Sequence, residues 1–437
     1  MVSRRSVIRS VAGNLVALAV LPAWRFPHSE DRVFALAAEL QPRVVAWRRH
    51  FHQFPELSNR EFATADRVAA ELGTMGIEVR RRIAHTGVVG ILRGTRPGPA
   101  VALRADMDAL PVEEKTGLPF ASTVHAESQG TQVPVSHACG HDCHTAMLLG
   151  AAAVLSRMKT EIAGTIVFIF QPAEEDSPVG EEGGASLMIR EGVLSDPACS
   201  SIFGLHVWPG PGGQLSYRPG GIMAADDRIS IRLTGRQTHG AVPWKGIDLA
   251  ALVADCVQAI NQIAARQIDV TSEPTVITIT TINGGNRPNI IPEEFVLTGT
   301  LRTFSIARRQ DVIERVTKRV TALAQSYGAV ANVEFVLTAP LTFNNPALSA
   351  RLLAPLTRAA GGADRLNSNA TPVTAAEDFA EYQAKIPGVF CFLGATAPGV
   401  DPATSAPNHS PFFDVWEPAM EVGVRAHVLA ALEMLRR

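Results

Sequence analysis

Tyrosine is nearly missing from this chain, with three in 437 residues, and aromatic residues reach only 6%. A surplus of either charge is missing too. Lys+Arg number 40 against 42 Asp+Glu, for a formal net charge of -2. That balance offers no electrostatic footprint for nucleic acid or an anionic membrane surface. Cysteine is scarce and odd in number, at Cys139, Cys143, Cys199, Cys256 and Cys391. Five scattered thiols do not make a disulfide framework, even for an exported protein. No fixed-period repeat or low-complexity block is visible. What remains is 46% hydrophobic and 19% charged, the composition of a soluble globular protein with a sizeable core. Its length exceeds one ordinary domain, so two domains or an insertion are expected.

The N-terminal stretch SRRSVIRSVAGNLVALAVLPAW sets Arg4 and Arg5 before an apolar run from Val11 to Leu21. That run is too short to be a comfortable membrane span. Residues 1–28 read as a twin-arginine export signal, with a periplasmic or secreted destination. The competing reading, a basic start before a core helix, leaves the protein cytoplasmic. Pro22-Ala23-Trp24 is not a clean small-x-small cleavage triplet, so an uncleaved anchor stays open. Twin-arginine export carries folded proteins, which is compatible with free thiols or a metal loaded beforehand.

Two helical stretches fill residues 31–80, the second with Asn59 as its expected cap. Short apolar runs then alternate with helical stretches: AVALRAD (100–106), the helix after His144, TIVFIF (165–170) and SSIFGLHV (200–207). This alternation predicts an α/β domain with a mixed, largely parallel sheet and helices on both faces. From about Ala225 the texture changes to strand-helix-strand-strand-helix-strand. That order describes a ferredoxin-like α+β unit over 225–338, inserted into the first domain. The catalytic part would then comprise 30–224 and 339–437, with a last helix from Glu417.

The unusual polar residues fall at strand ends. Asp106 and Asp108 follow AVALR, Glu174 and Glu175 follow TIVFIF in the string QPAEE, His206 closes SIFGL, and His409 lies beyond VFCFLG. In open α/β sheets, ligands bind in the crevice beyond the carboxyl ends of the strands. Cys139 and His141 sit just before a helix start, in HACGHDCH, where Asp142 is the expected cap of a helix beginning near Cys143. Thiolate, imidazole and carboxylate together suit Zn or Mn, with Co or Ni also able to use them. Two adjacent glutamates can divide labour. One binds metal and the other takes a proton from water whose pKa the ion lowers to about 7.

Taken singly, each of these residues has a plainer use. A strand-end histidine is ordinarily a hydrogen-bonded polar group, Cys139 a small buried hydrophobe, and a Glu-Glu pair a solvated face. Their clustering reverses that weighting. A Cys139–His141 nucleophile pair is a second enzymatic reading, but it leaves the other strand-end donors unexplained.

With these residues in hand, the chain resembles the metal-dependent aminoacylase/carboxypeptidase family of metallopeptidases. The branch is that of hippurate hydrolases and auxin-conjugate (IAA-amino acid) amidohydrolases. The matching strings are RRHFHQFPELSNREFAT, RADMDALPVEE, HACGHDCHTAMLLGAA, FQPAEE, GLHVWP, THGAVPWKGIDLAA, RPNIIPE, GTLRTF, AAEDFAEY and NHSPFFDV. They run in family order from about residue 45 to the C-terminus. The resemblance implies two divalent metal ions held by Cys139 as bridge, with His141, Glu175, His206 and His409. It implies Glu174 as general base and then acid, with Asp108 orienting or polarising a neighbour. The inserted unit would be a lid that also forms a homodimer. There His239 and Asn289 would stabilise the oxyanion or the substrate carboxylate, and Arg302 would bind that carboxylate. His50, His52 and His144 are expected to be structural, and Glu377 and Asp378 to order a loop near the site.

The function implied is hydrolysis of the amide bond of N-acyl amino acids by metal-activated water. A carboxydipeptidase of the same family is the enzymatic rival, and an exported binding module for small acyl-amino acids the non-catalytic one. One departure from the family pattern stands beside the proposed base. After QPAEE the segment DSPVGEEGGASLM carries extra residues.

Overall fold

The computed structural model describes residues 27–436. The export-signal segment lies outside the described residues, apart from Pro27 and His28, which open helix α1 (Pro27–Gln53). No helix among the described residues is long and apolar enough to cross a membrane.

Helix α2 (Phe62–Thr74) follows a loop that corrects the first capping expectation. Asn59 does not cap it. Its backbone takes φ 59, and its amide donates to the Glu182 carbonyl and the Glu181 carboxylate. The side chain is buried, and a tertiary partner takes the place of the helix amides it was expected to serve.

Strands β1 (Glu78–Ile83), β2 (Gly87–Arg93) and β3 (Arg96–Asp106) begin the main sheet. Helix α3 (His141–Arg157) leads into β4 (Ala163–Gln171), then α4 (Gly184–Arg190), β5 (Cys199–Pro211) and β6 (Leu215–Ser216). The chain next builds the inserted unit from β7 (Ala225–Thr234), α5 (Leu249–Arg266), β8 (Thr275–Gly284), β9 (Glu294–Thr303), α6 (Ile306–Ser326) and β10 (Val330–Ala339). It returns through α7 (Pro346–Ala360), β11 (Leu366–Asn367), α8 (Phe379–Gln383), β12 (Gly388–Thr396) and α9 (Met420–Met434).

The main sheet has the order β1-β2-β4-β3-β5-β12-β6-β11. Its centre, β4-β3-β5-β12, is parallel, and antiparallel pairs flank it. Central strands covered on both faces read as apolar runs rather than alternations. Every residue of β12 is buried. Helix α3 is buried from His141 through Leu155, which is why its apolar character runs all round. It packs between α1 and α9. Gly150 permits the close crossing, because a Cβ there would meet Val44 and Val424 at 2.8 Å.

The inserted unit pairs its strands antiparallel in the order β8-β9-β7-β10. With two helices on one face, this is the ferredoxin-like arrangement. Asp248 caps α5 by accepting from the Ala250 and Ala251 amides, and Ser305 caps α6 by accepting from Arg308. Ile229, Ile231, Leu233, Ile260, Leu297 and Val316 belong to a hydrophobic cluster separate from that of the main sheet. Strand β7 alternates buried and accessible positions. Its odd residues meet the helices, and its even residues lie on the open face.

Candidate metal centre and active site

The parallel strands deliver the reactive groups to one crevice. Asp106 ends β3 beside Gln171, which ends β4. The chain then turns through Pro172-Ala173 to Glu174 and Glu175, with Ala173 at φ 52. Glu61 holds that turn by accepting from the Ala173 amide at 2.9 Å and from the Thr86 hydroxyl at 2.5 Å. His206 does not close its strand. Strand β5 parts from β3 after Gly204, but β12 continues to pair with it as far as Pro211. His206 therefore sits inside β5 and still borders the crevice.

Helix α3 begins at His141, two residues earlier than expected, from Gly140 at φ 84. Asp142 is not its cap. It is fully buried in the first turn, where the Arg48 guanidinium donates to it at 2.9 Å and the His52 ring lies 2.8 Å away. A first-turn carboxylate also meets the positive end of the helix dipole. Glu114 takes the other His52 nitrogen at 2.9 Å. Burial lowers the His52 pKa, but Asp142 and Glu114 outweigh it and raise it to about 9. His144 is structural as well. Its Nδ1 lies 2.6 Å from Asp106 and its Nε2 accepts from the Val207 amide.

Five donors converge. Cys139 Sγ lies 3.4 Å from His206 Nε2 and 3.3 Å from His409 Nε2, and His409 Nε2 lies 3.0 Å from Glu175. His141 Nε2 stands 3.9 Å from both Glu174 and Glu175. The Nδ1 atoms of His141 and His206 lie 2.8 and 2.7 Å from the carbonyls of Asp108 and Val207. Donating there fixes both tautomers and leaves Nε2 free to ligate. His141 Nε2 and Glu175 Oε1 are buried with no hydrogen-bond partner. Such orphaned atoms need an explanation, and a cation supplies one. Cys139–His141–His206 and Cys139–Glu175–His409 form two compact groups that share the thiol. These two groups could together hold two cations, with Cys139 available to both.

The electrostatics agree. Burial and the carboxylates of Glu175, Glu174 and Asp106 push the Cys139 thiol well above its ordinary range. That shift disfavours a thiolate nucleophile such as the Cys139–His141 pair, and a nearby cation would favour the thiolate. Burial and the carboxylates of Glu377, Glu175 and Asp378 hold Glu174 well above the usual carboxylate range. Asp108 is fully buried and accepts from the amides of both Glu174 and Glu175 at 3.0 Å and from Ser58 at 2.7 Å. Burial raises its pKa, but His141 and those amides outweigh it and bring it below the ordinary value. The carboxylate of Asp108 thus fixes the glutamate turn.

Three supports had no signal of their own in the sequence. Arg104, fully buried within β3, donates to Asp106 at 2.6 Å and to Asp378 at 2.9 Å, and pairs with Glu377 at 3.0 Å. The Asn408 amide donates to the carbonyls of Cys139 and Val207, latching the His409 loop. His409 itself sits at φ 67, a strained conformation of the kind found at functional sites. Glu61 is the third. All three lie inside strings already quoted, where their residue types alone suggested a strand position, a loop and a helix start.

A cavity of about 470 Å³ joins these groups to the open face of the inserted sheet, through Asp226, Arg228 and Arg302. Arg302 stands in that wall and pairs with Asp226 at 2.5 Å. His239 and Asn289 are elsewhere. His239 lies on the segment Thr238–His239, paired with Ile290–Ile291, and Asn289 immediately precedes that partner; both are exposed. These follow the far end of β7, about 26 Å of strand from Asp226, so this copy's own cavity does not receive them.

A shared thiolate-imidazole-carboxylate centre with a further glutamate beside it defines a metal-dependent hydrolase. The model of peptidase family M20/M25/M40 matches residues 102–433, and the chain belongs to that family, whose members hydrolyse amide bonds. It is 39% identical over 398 residues to thermostable carboxypeptidase 1 of Saccharolobus solfataricus, covering 90% of this chain and 96% of that protein. It is 38% identical over 308 residues to an N-acyl-L-amino acid amidohydrolase of Geobacillus stearothermophilus, covering 70% of this chain and 79% of that one. Among solved structures, a dinuclear metal-binding peptidase of the M20 family from Bacillus subtilis superposes with a TM-score of 0.76. It is 32% identical, with 91% of this chain and 99% of that one covered.

Proposed function

We propose that the protein is an amidohydrolase that releases the acyl group from N-acyl amino acids, using two divalent metal ions. The observation that carries this reading is the position of Glu174, beside the Cys139-centred donors and lining the same cavity. Cys139, His141, Glu175, His206 and His409 would hold the ions, with Zn or Mn the expected metals. The ions supply Lewis acidity that makes water nucleophilic and polarises the amide carbonyl. Glu174 accepts the proton of the attacking water and returns it to the leaving amine. Asp108 keeps Glu174 and Glu175 in register for these separate tasks. The inserted unit closes over the substrate.

His239 and Asn289 point to a homodimer, in which the hairpin of one copy is offered to the cavity of the other. Sedimentation tests that assembly. Export through the twin-arginine route follows from Arg4, Arg5 and the apolar run after them. Fractionation of cells with Arg4 and Arg5 changed to lysine tests it.

The relatives named carboxypeptidases favour a second reading, release of a C-terminal amino acid from a short peptide. A panel of N-acetyl, N-benzoyl and N-lauroyl amino acids with dipeptides separates the two. It is assayed before and after chelation, with Mn or Zn added back. Hydrolysis of the acyl amino acids, lost on chelation and restored by metal, supports the proposal. Turnover confined to dipeptides moves the assignment to the carboxydipeptidase. A folded, metal-loaded protein that binds but turns over nothing would be the binding module.

A further inference from the structure

Four consecutive residues of the loop before α2 grip the glutamate turn and the segment that follows it. Ser58 donates to Asp108 at 2.7 Å, and Glu61 accepts from the Ala173 amide at 2.9 Å. Between them, Asn59 and Arg60 reach past the turn to the segment DSPVGEE, the departure from the family pattern. The Asn59 amide donates to the Glu182 carbonyl at 3.0 Å and to the Glu181 carboxylate at 3.2 Å. The Arg60 guanidinium takes both oxygens of Glu181, at 2.6 and 3.0 Å. His85, in the turn between β1 and β2, lies 3.0 Å from the same Glu182 carbonyl. Asn59 sits at φ 59, in the left-handed region that asparagine tolerates better than most residues.

The gripped segment is a closed loop. It leaves the metal donors at Glu175 and returns at Gly183-Gly184, where added Cβ atoms would lie 3.1 Å from the Ala173 Cβ and 2.9 Å from the Ala173 carbonyl oxygen. Just beyond, the Ala185 amide donates to Asp378, a neighbour of Glu174. Both ends of the loop therefore touch the turn that presents Glu174 and Glu175, and its middle is held by Arg60 and Asn59. Compact loops whose ends meet are frequently functional. Hydrogen bonds from Arg60 bring the Glu181 carboxyl down to about 2, so the pair is fully charged near neutral pH. We infer that Arg60 and Asn59 are positioning residues for the reaction: by holding Glu181 they keep this loop closed, and the closed loop keeps Glu174 and Glu175 in place. The inference rests on the proposed amidohydrolase reading. It gives the extra residues a task, since they carry Glu181 out to the side chain that steadies the catalytic turn.

The test measures hydrolysis of N-acetyl-L-methionine and alanyl-methionine by metal-loaded wild type, Arg60→Met, Glu181→Gln and the double variant. A half-exposed ion pair is by itself worth up to about fivefold in an equilibrium, whereas reacting groups displaced by about 1 Å lose up to about 100-fold in rate. On whichever compound turns over, each single variant should therefore lower kcat about 5- to 100-fold. KM should stay within about threefold, and metal content should match wild type. The double variant should be no slower than either single one, because the same latch has been removed. Arg60→Lys keeps the charge but loses the planar fork, and should recover part of the rate. Asn59→Gly permits the same backbone but deletes the amide, and should lose rate as Arg60→Met does. Hydrogen exchange gives a readout free of turnover: the amides of Glu174 and Glu175 should exchange faster in Arg60→Met. A loss of kcat below about fivefold in both single variants, additive losses in the double one, a loss that tracks missing metal, or unchanged exchange at those two amides overturns the inference and leaves the amidohydrolase reading standing. If wild type hydrolyses neither compound, that reading falls, and the exchange rates alone decide whether Arg60 holds the turn.

Discussion

Gly140→Ala should damage fold and metal centre together, by amounts the structure allows to be worked out. Gly140 sits at φ 84 between Cys139 and His141, and a Cβ there would lie 2.3 Å from Val207 Cγ2 and 3.3 Å from Phe413. Placing an L-residue in the left-handed region costs about 1–2 kcal/mol. Forcing a methyl into a packed site costs about 1–3 kcal/mol more. The sum, roughly 3 kcal/mol, lowers the melting temperature by about 6 °C at roughly 2 °C per kcal/mol for a large chain. Relief of the contact must move either β5, which carries His206, or the Cys139–His141 turn. Metal bonds tolerate displacements of only about 0.2 Å, so metal affinity should fall at least about tenfold. Gly76 is the internal control. It has φ 70 and nothing within 4 Å of the added Cβ, so Gly76→Ala carries the conformational cost alone and should leave metal binding untouched. The assays are thermal melting and competition with a fluorescent chelator. A Gly140→Ala protein that melts within 1 °C of wild type and holds metal equally tightly would refute the argument, because neither contact nor conformation could then matter.

Glu174→Gln should lower kcat by about 10²- to 10⁴-fold, as loss of a general base does, while metal content by mass spectrometry stays at the wild-type level. Arg48→Met should destabilise by about 3–5 kcal/mol, because it strands buried Asp142 without its guanidinium partner; denaturant titration reads this directly. Removing both ions with chelator should lower the melting temperature, since the clustered carboxylates and imidazoles lose the charge that offsets them. His52 predicts the alkaline limb of the stability curve. Its folded pKa is raised to about 9, above the ordinary histidine value of about 6.5. Its contribution is therefore complete below about pH 6.5 and is lost as pH climbs through 9. The melting temperature should fall across that window, and His52→Gln should flatten that part of the profile.

Much of this architecture is written in local patterns. The two-residue alternation of β7, the Asp248 and Ser305 caps and the apolar runs of the central strands all act through near neighbours. The five candidate metal donors are legible in another way: rare residue types cluster after strands and before one helix, and the family resemblance assigns the set. What escaped was decided by distant partners. Asp142 and Asn59 carry good cap side chains, yet each is buried against another segment, where Arg48 and the Glu182 carbonyl outbid helix amides. Arg104 reads as one polar residue in an apolar strand. Its purpose needs Asp106, Glu377 and Asp378, which stand up to 274 residues away. His239 and Asn289 show the converse. Their strings are distinctive, but only the length of β7 reveals that this copy's own cavity lies beyond their reach.

The pair Glu174–Glu175 shows how two identical neighbours acquire different tasks. Residue type cannot separate them, and neither can their shared strand end. Asp108 binds both of their amides at 3.0 Å, so the backbone between them is fixed and the two side chains must diverge. Glu175 reaches His409 at 3.0 Å, among the cation-seeking donors. Glu174 instead joins Glu377 and Asp378 in a compact carboxylate group, which burial and like charge keep ready to hold a proton. Arg104 limits that repulsion by gripping Glu377 and Asp378. Exchanging the order of ligand and base would therefore require rebuilding Asp108 and Arg104 as well. The chemistry assigned to Glu174 depends on two residues that would touch neither metal nor substrate.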